Sequence, residues 1–203
     1  MHHHFFAAHG IELFAAIAGF LNVYLAARNS IWNWLFGIID VSLYVIVFFH
    51  SKLYADMALQ FIFLAFQFYG WYQWCYGGVQ HTARVIAHVT KAVLVNACVV
   101  TILLFFSLAW LLQNYTDSST VYADAFITAC SLTAQWLMSK KWLEHWLLWV
   151  IVNVVAISLY FYKHLYFTSG LYVVFLYLCF LGYREWKKQL VSTNSDAYPV
   201  MPQ

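Results

Sequence analysis

The stretch LYADMALQFIFLAFQFYGWYQW, residues 53 to 74, is apolar enough to lie in lipid yet contains Asp56, Gln60 and Gln67. At about 100° per residue, Asp56, Gln60, Phe63, Gln67, Gly70 and Trp74 fall within about 40° of one helix face, forming a single polar and aromatic stripe. An acid at the centre of a membrane helix costs about 2.5 to 3.5 kcal/mol, and intramembrane polar residues usually face an interior path. A stripe of this kind can hydrogen-bond a passing solute; the same residues could equally bond a neighbouring helix. A second surface comes from WLEHWLLWVIVN, residues 142 to 153, where Trp146, Trp149 and Asn153 stand at i, i+3 and i+7. Two indoles backed by an amide suit a flat ring with polar groups, although a tryptophan near a membrane boundary also serves as an interfacial anchor. Gln135 could add an amide or face water. Asp40, with Tyr44 at i+4, puts an acid in mid-span at a different angle from Trp34, toward another helix or a subunit contact.

These side chains need membrane helices to hold them. The 203 residues are 64% hydrophobic and only 9% charged, against roughly 25% charged in soluble domains. Apolar runs of about 20 residues, the length that crosses a hydrocarbon core of about 30 Å, recur at 10–28, 32–49, 53–76, 92–113, 121–138, 143–162 and 166–186. Both prolines, Pro199 and Pro202, lie in the polar ending STNSDAYPVMPQ, so 189–203 is expected to be a disordered cytoplasmic tail. The opening MHHH is set aside from metal arguments, and the first span is too long and lacks the basic flank of a cleaved leader. Cys75, Cys98, Cys130 and Cys179 have no paired spacing and read as small packing residues. If the spans alternate, one side receives Arg28, Arg84, Lys91, Lys140, Lys141, Arg184, Lys187 and Lys188, and the other only Lys52 and Lys163. The excess of positive charge places the N-terminus outside and the C-terminus in the cytoplasm.

The chain also matches itself at an offset of 112 residues, the separation of Tyr54 and Tyr166. Without a gap, this shift pairs Glu12 with Asp124, Phe14 with Phe126, Arg28 with Lys140, Trp34 with Trp146, Gly70 with Gly182 and Trp74 with Trp186. Each copy holds three spans, and one further span joins them. Three spans reverse the side and the joining span restores it, so the copies are parallel repeats related by an axis near the membrane normal. The expected fold is therefore all-α and integral to the membrane, with seven transmembrane helices arranged 3+1+3. The repeats are 10–76 and 121–188, joined by a linking helix at 92–113. Carriers of this build bind their solute between the halves near the midplane and rock one half against the other.

Other classes fare worse. A retinal Schiff base needs a lysine within the last span, and 166–186 has none. The histidines His50, His81, His88, His145 and His164 lie near span ends without metal-binding spacing, and neither a phosphate-binding GxxxxGK loop nor a GxSxG elbow occurs. No enzyme activity, cofactor, metal or nucleic-acid partner is expected, and nothing points to ATP-driven transport.

The strings WNWLFG (32–37), LYADMALQ (53–60), YGWYQW (69–74) and AQWLMSKKWLEHWLLWVIVN (134–153) resemble PnuC, the bacterial nicotinamide riboside transporters, over about residues 10 to 188. The resemblance implies a fold similar to the SWEET sugar carriers, a homotrimer in the bacterial inner membrane, and facilitated diffusion of nicotinamide riboside that cytoplasmic phosphorylation then traps. Carried over by position, the substrate-binding residues are Asn33, Trp34, Asp56, Gln60, Gln67, Trp146, Trp149 and Asn153. The chemistry agrees: indole faces attract a pyridinium cation by about 0.5 to 2 kcal/mol, and Asn and Gln both donate and accept. A phosphorylated nucleotide would call for Arg or Lys in the path, whereas the basic residues sit near span ends. The nearest alternative is a similar carrier for thiamine or another flat cationic vitamin; a seven-helix receptor is a remoter one. Proline hinges of the SWEET kind have no counterpart before Pro199, leaving motion to Gly19, Gly37, Gly70, Gly182 or whole-bundle rocking.

Overall fold

The computed structural model describes residues 2–50, 52–116 and 119–197, with side chains described from residue 11 to 192 apart from those of Glu12 and Ala55. Among these, seven α-helices follow one another: α1 His2–Ala27, α2 Asn33–His50, α3 Tyr54–Tyr76, α4 Lys91–Tyr115, α5 Val121–Ser139, α6 His145–Tyr162 and α7 Tyr166–Ala197. At about 1.5 Å per residue, even the 18-residue α2 and α6 are about 27 Å long, near the hydrocarbon thickness. By length and apolarity together, α2, α4, α6 and α7 (over Tyr166–Ser192) qualify as membrane spans, and α1 contributes the shorter apolar stretch Leu13–Ala27. The other two helices carry the polar residues: α3 holds Asp56, Gln60, Gln67 and Gln73, and α5 holds Asp124, Ser131, Thr133, Gln135 and Ser139. Those side chains lower the hydropathy of two helices counted as spans from their apolar runs. Part of the stretch expected as a solvated tail, 189–197, continues α7, while 198–203 lie outside the described residues.

The chain divides into two compact units, one ending at Arg84 and the other starting at Val85. In the first, α1 packs on α2 and α2 on α3; in the second, α4 packs on α5, α5 on α6 and α6 on α7. The helix behind the second repeat, α4, thus groups with that repeat. Its hold on α5 includes a hydrogen bond of 2.7 Å between the Thr101 and Thr133 hydroxyls. The buried residues of α5 are mostly small (Ala125, Ala129, Cys130, Ser131, Ala134, Ser139), which allows helices to approach closely where the lipid tails provide no hydrophobic drive.

The two units end their helices in the same way. After α1, the Asn29 N–H donates to Ala26 O (2.9 Å) and the Ser30 N–H to Leu25 O (2.9 Å); after α5, Lys141 donates to Met138 O (2.9 Å) and Trp142 to Leu137 O (3.2 Å). After α2, Lys52 and Leu53 donate to Phe49 O and Phe48 O, and after α6, His164 and Leu165 donate to Phe161 O and Tyr160 O. Each is a paired bond onto the last turn around a left-handed residue, which satisfies carbonyls that the helix leaves open. The left-handed residues are Asn29 and Lys141, then Lys52 and His164, with φ between 52° and 60°. Each pair is 112 residues apart, so the offset read from side-chain identities recurs in the backbone.

Two stretches flank the division. In the first unit, the Arg84 N–H donates to Trp74 O (3.1 Å) and its Nε to Gly77 O (3.1 Å), tying the chain back to the end of α3. In the second, Ala87 forms a short parallel bridge with Trp142, accepting from Leu143 N–H (3.0 Å) and donating to Lys141 O (3.1 Å). Glu144 completes this strap by accepting from the Val89 N–H (2.9 Å) and meeting His88 Nδ1 at 2.7 Å.

Candidate functional site

In the first unit the stripe on α3 faces α2, and its burial deepens along the helix. Asp56 is exposed, Gln60 half-buried, and Gln67, Gly70 and Trp74 buried. The Trp34 ring, in the first turn of α2, is 0% exposed because it lies on bare backbone at Gly70, where a Cβ would overlap it. Trp74 meets Trp34 edge to face, with ring centroids 5.3 Å apart and planes at 90°, the arrangement that the ring quadrupoles favour. One turn further along the seam, the Gln67 amide fills the space over Gly37, again where a Cβ would collide. Asn33 is fully buried and donates through Nδ2 to Ser30 O at 2.7 Å. Among the described residues, Asn33 Oδ1, Trp34 Nε1 and Gln67 Oε1 are buried without a hydrogen-bond partner.

The second unit repeats this seam between α6 and α7. Trp146 lies on Gly182, where a Cβ would overlap its ring, and meets Trp186 edge to face at 5.8 Å and 90°. The polar atoms differ. The slot of Asn33 holds His145, whose ring centroid is 4.5 Å from that of Trp146 and 4.8 Å from that of Trp186. The slot of Gln67 holds Cys179, and Asn153 Nδ2 donates to its Sγ (3.4 Å) and to Trp149 O (2.7 Å). The slot of Gly37 holds Trp149, which remains half-buried.

The structure therefore brings Asn33, Trp34 and Gln67 together along one seam, and Trp146 and Asn153 along the other. The faces of Trp34 and Trp146 are covered by their own repeat, while Trp149 keeps exposed surface one turn from Asn153. Asp56 and Gln60 stand toward the start of α3, away from the buried set. Asp40 faces α1: a Cβ at Gly19 would stand 3.2 Å from both of its carboxylate oxygens, and Oδ1 is buried without a partner. Two features escaped the sequence reading. The role of Gly37 is one, since it has no glycine counterpart, and the other is His145, which reads as an isolated histidine until the offset aligns it with Asn33.

The profile of the nicotinamide mononucleotide transporter family matches residues 9–188. A nicotinamide riboside transporter PnuC from Escherichia coli (strain K12) is 29% identical over 87% of this chain and 84% of its own length. One from Neisseria mucosa is 32% identical over 89% and 73%. The riboflavin/roseoflavin transporter RibM of Streptomyces davaonensis is 24% identical over 94% and 89%. Among solved structures, a crystal structure of the vitamin B3 transporter PnuC covers 90% of this chain with 82% of its own, at 26% identity and a TM-score of 0.71.

Proposed function

The chain belongs to the nicotinamide mononucleotide transporter family, which includes PnuC, and from that premise we propose that it takes up nicotinamide riboside across the bacterial cytoplasmic membrane. It is a multi-pass membrane transporter and not an enzyme. The observation that supports the choice of substrate is the half-buried indole of Trp149 one turn from the buried amide of Asn153 on α6, with Trp146, Trp34, Asn33 and Gln67 packed within the α6–α7 and α2–α3 seams. Indole faces attract the pyridinium cation, and the amides can bond its carboxamide and ribose hydroxyls. Asp56 and Gln60, toward the start of α3, would meet the cation as it enters. The basic residues cluster at helix ends, which favours the riboside over the mononucleotide named in the family's title.

In this reading all seven helices span the membrane as two parallel repeats and a linking helix, with the N-terminus outside. Alternating access carries the riboside down its gradient. Phosphorylation in the cytoplasm removes the product and keeps the gradient inward, so the carrier itself needs no energy source. The working unit is a homotrimer of SWEET-like protomers. A second reading, a carrier for another flat vitamin, draws on the similarity to RibM, a riboflavin transporter.

Counterflow into liposomes holding the purified protein tests the proposal. Liposomes preloaded with unlabelled riboside should accumulate labelled riboside without ATP or an ion gradient, and external mononucleotide should not compete. Failure of riboside counterflow alongside riboflavin or thiamine counterflow would replace the substrate.

A further inference from the structure

His145 is 0% exposed, and both Nδ1 and Nε2 are buried without a hydrogen-bond partner among the described residues. Its ring is wedged between Trp146 and Trp186, a setting that a phenylalanine ring would fill equally well without leaving polar atoms unmet. Buried groups left unmet are destabilising, and native structures hold few of them, so each asks for a reason. The slot itself is polar in both repeats: Asn33 occupies it in the first, is also 0% exposed, and also has an unpartnered atom, Oδ1. The side-chain types differ while the placement, one residue before a tryptophan lying on glycine, does not.

His145, Trp149 and Asn153 are spaced i, i+4 and i+8 on α6, which puts them in one line with about 6 Å of rise between steps. Lys140 and Lys141 directly precede this end of the helix, and the excess of positive charge assigns it to the cytoplasmic side. Resting on the carrier reading above, we propose that His145 is a hydrogen-bonding contact for the riboside at the cytoplasmic end of α6, engaged when the α6–α7 seam opens. A neutral imidazole has one donor and one acceptor, which matches a ribose hydroxyl. In the closed seam those atoms are buried without a hydrogen-bond partner among the described residues, on a ring packed against two indoles; in the open seam they meet the departing substrate, one step beyond Trp149.

His145→Phe keeps the ring packing and removes the polar atoms, whereas His145→Asn restores the residue of the first repeat. In proteoliposomes, H145F should bind riboside from the outer side within about threefold of wild type but transport it about tenfold more slowly, the effect of one lost hydrogen bond. H145N should recover most of the rate. A wild-type rate in H145F overturns the proposal, as does a folded H145N that is as slow as H145F. If H145F does not fold, H145N decides alone: a near-normal rate supports the contact, and a tenfold loss overturns it. If the wild-type protein neither binds nor transports riboside, the carrier reading fails and this contact with it. Normal wild-type transport with an unaffected H145F removes only the contact.

Discussion

The Trp146 ring rests directly on the backbone of Gly182, at a point that any Cβ on residue 182 would overlap. Alanine normally improves a helix by about 1 kcal/mol over glycine, but forcing extra volume into a packed seam costs about 1 to 3 kcal/mol, and here the obstacle is a buried indole. Gly182→Ala should therefore lower the thermal unfolding midpoint and shift the tryptophan emission. Gly70→Ala, its counterpart beneath Trp34, should do the same. A raised midpoint in either would mean that the ring moves aside freely.

Asn153 holds the α6–α7 seam through Cys179 Sγ while its amide also donates to Trp149 O one turn back on α6, and the proposed function also has it bond the substrate. Asn153→Ala should weaken riboside binding by about tenfold or more, at roughly 1.4 kcal/mol per tenfold. Trp149→Ala should weaken it to a similar degree through the lost cation–ring attraction, and Trp149→Phe by less. Titration calorimetry on the folded variants checks both, and near-wild-type affinity in both alanine variants would take α6 out of the binding site.

Glu144 fastens the strap before α4 to the start of α6. Exposed or half-exposed ionic contacts contribute about 0 to 1 kcal/mol, so Glu144→Ala should leave the unfolding midpoint nearly unchanged. The bound amide is the sensitive reporter: hydrogen exchange at Val89 should speed up in the variant, and unchanged protection would place its partner elsewhere.

Asp40 is the mid-span acid most able to suggest proton coupling. A facilitator predicts that riboside uptake ignores an imposed proton gradient and that Asp40→Asn leaves the initial rate within about twofold of wild type, since the amide has the same shape as the carboxyl that packs on Gly19. A gradient-driven accumulation abolished by D40N would reveal coupling instead.

The tryptophan and glycine pairs announced the seams in the sequence because large and absent side chains are rare, so Trp34, Gly70 and Trp74 align with Trp146, Gly182 and Trp186 above the noise of apolar matches. The turns were silent, because Lys52, Lys141 and His164 adopt a left-handed conformation usually associated with Gly or Asn, and only the backbone reveals it. The stripe on α3 was legible as a face but not as a neighbour: periodicity gives direction around a helix, while the depth of Gln67 and the exposure of Asp56 depend on what packs there. Asp40 was recognisable as an outlier, yet its turn toward Gly19 needed the packing of α1. Polar composition likewise gave no sign that α7 carries on as helix over 189–197.

The most direct test is calorimetric titration of the purified protein with nicotinamide riboside, nicotinamide mononucleotide, thiamine and riboflavin, with tryptophan fluorescence recorded in parallel. Saturable binding of the riboside, accompanied by a change in indole emission and absent for the mononucleotide, is the predicted result. Binding of the mononucleotide or of another vitamin with no response to the riboside would contradict it.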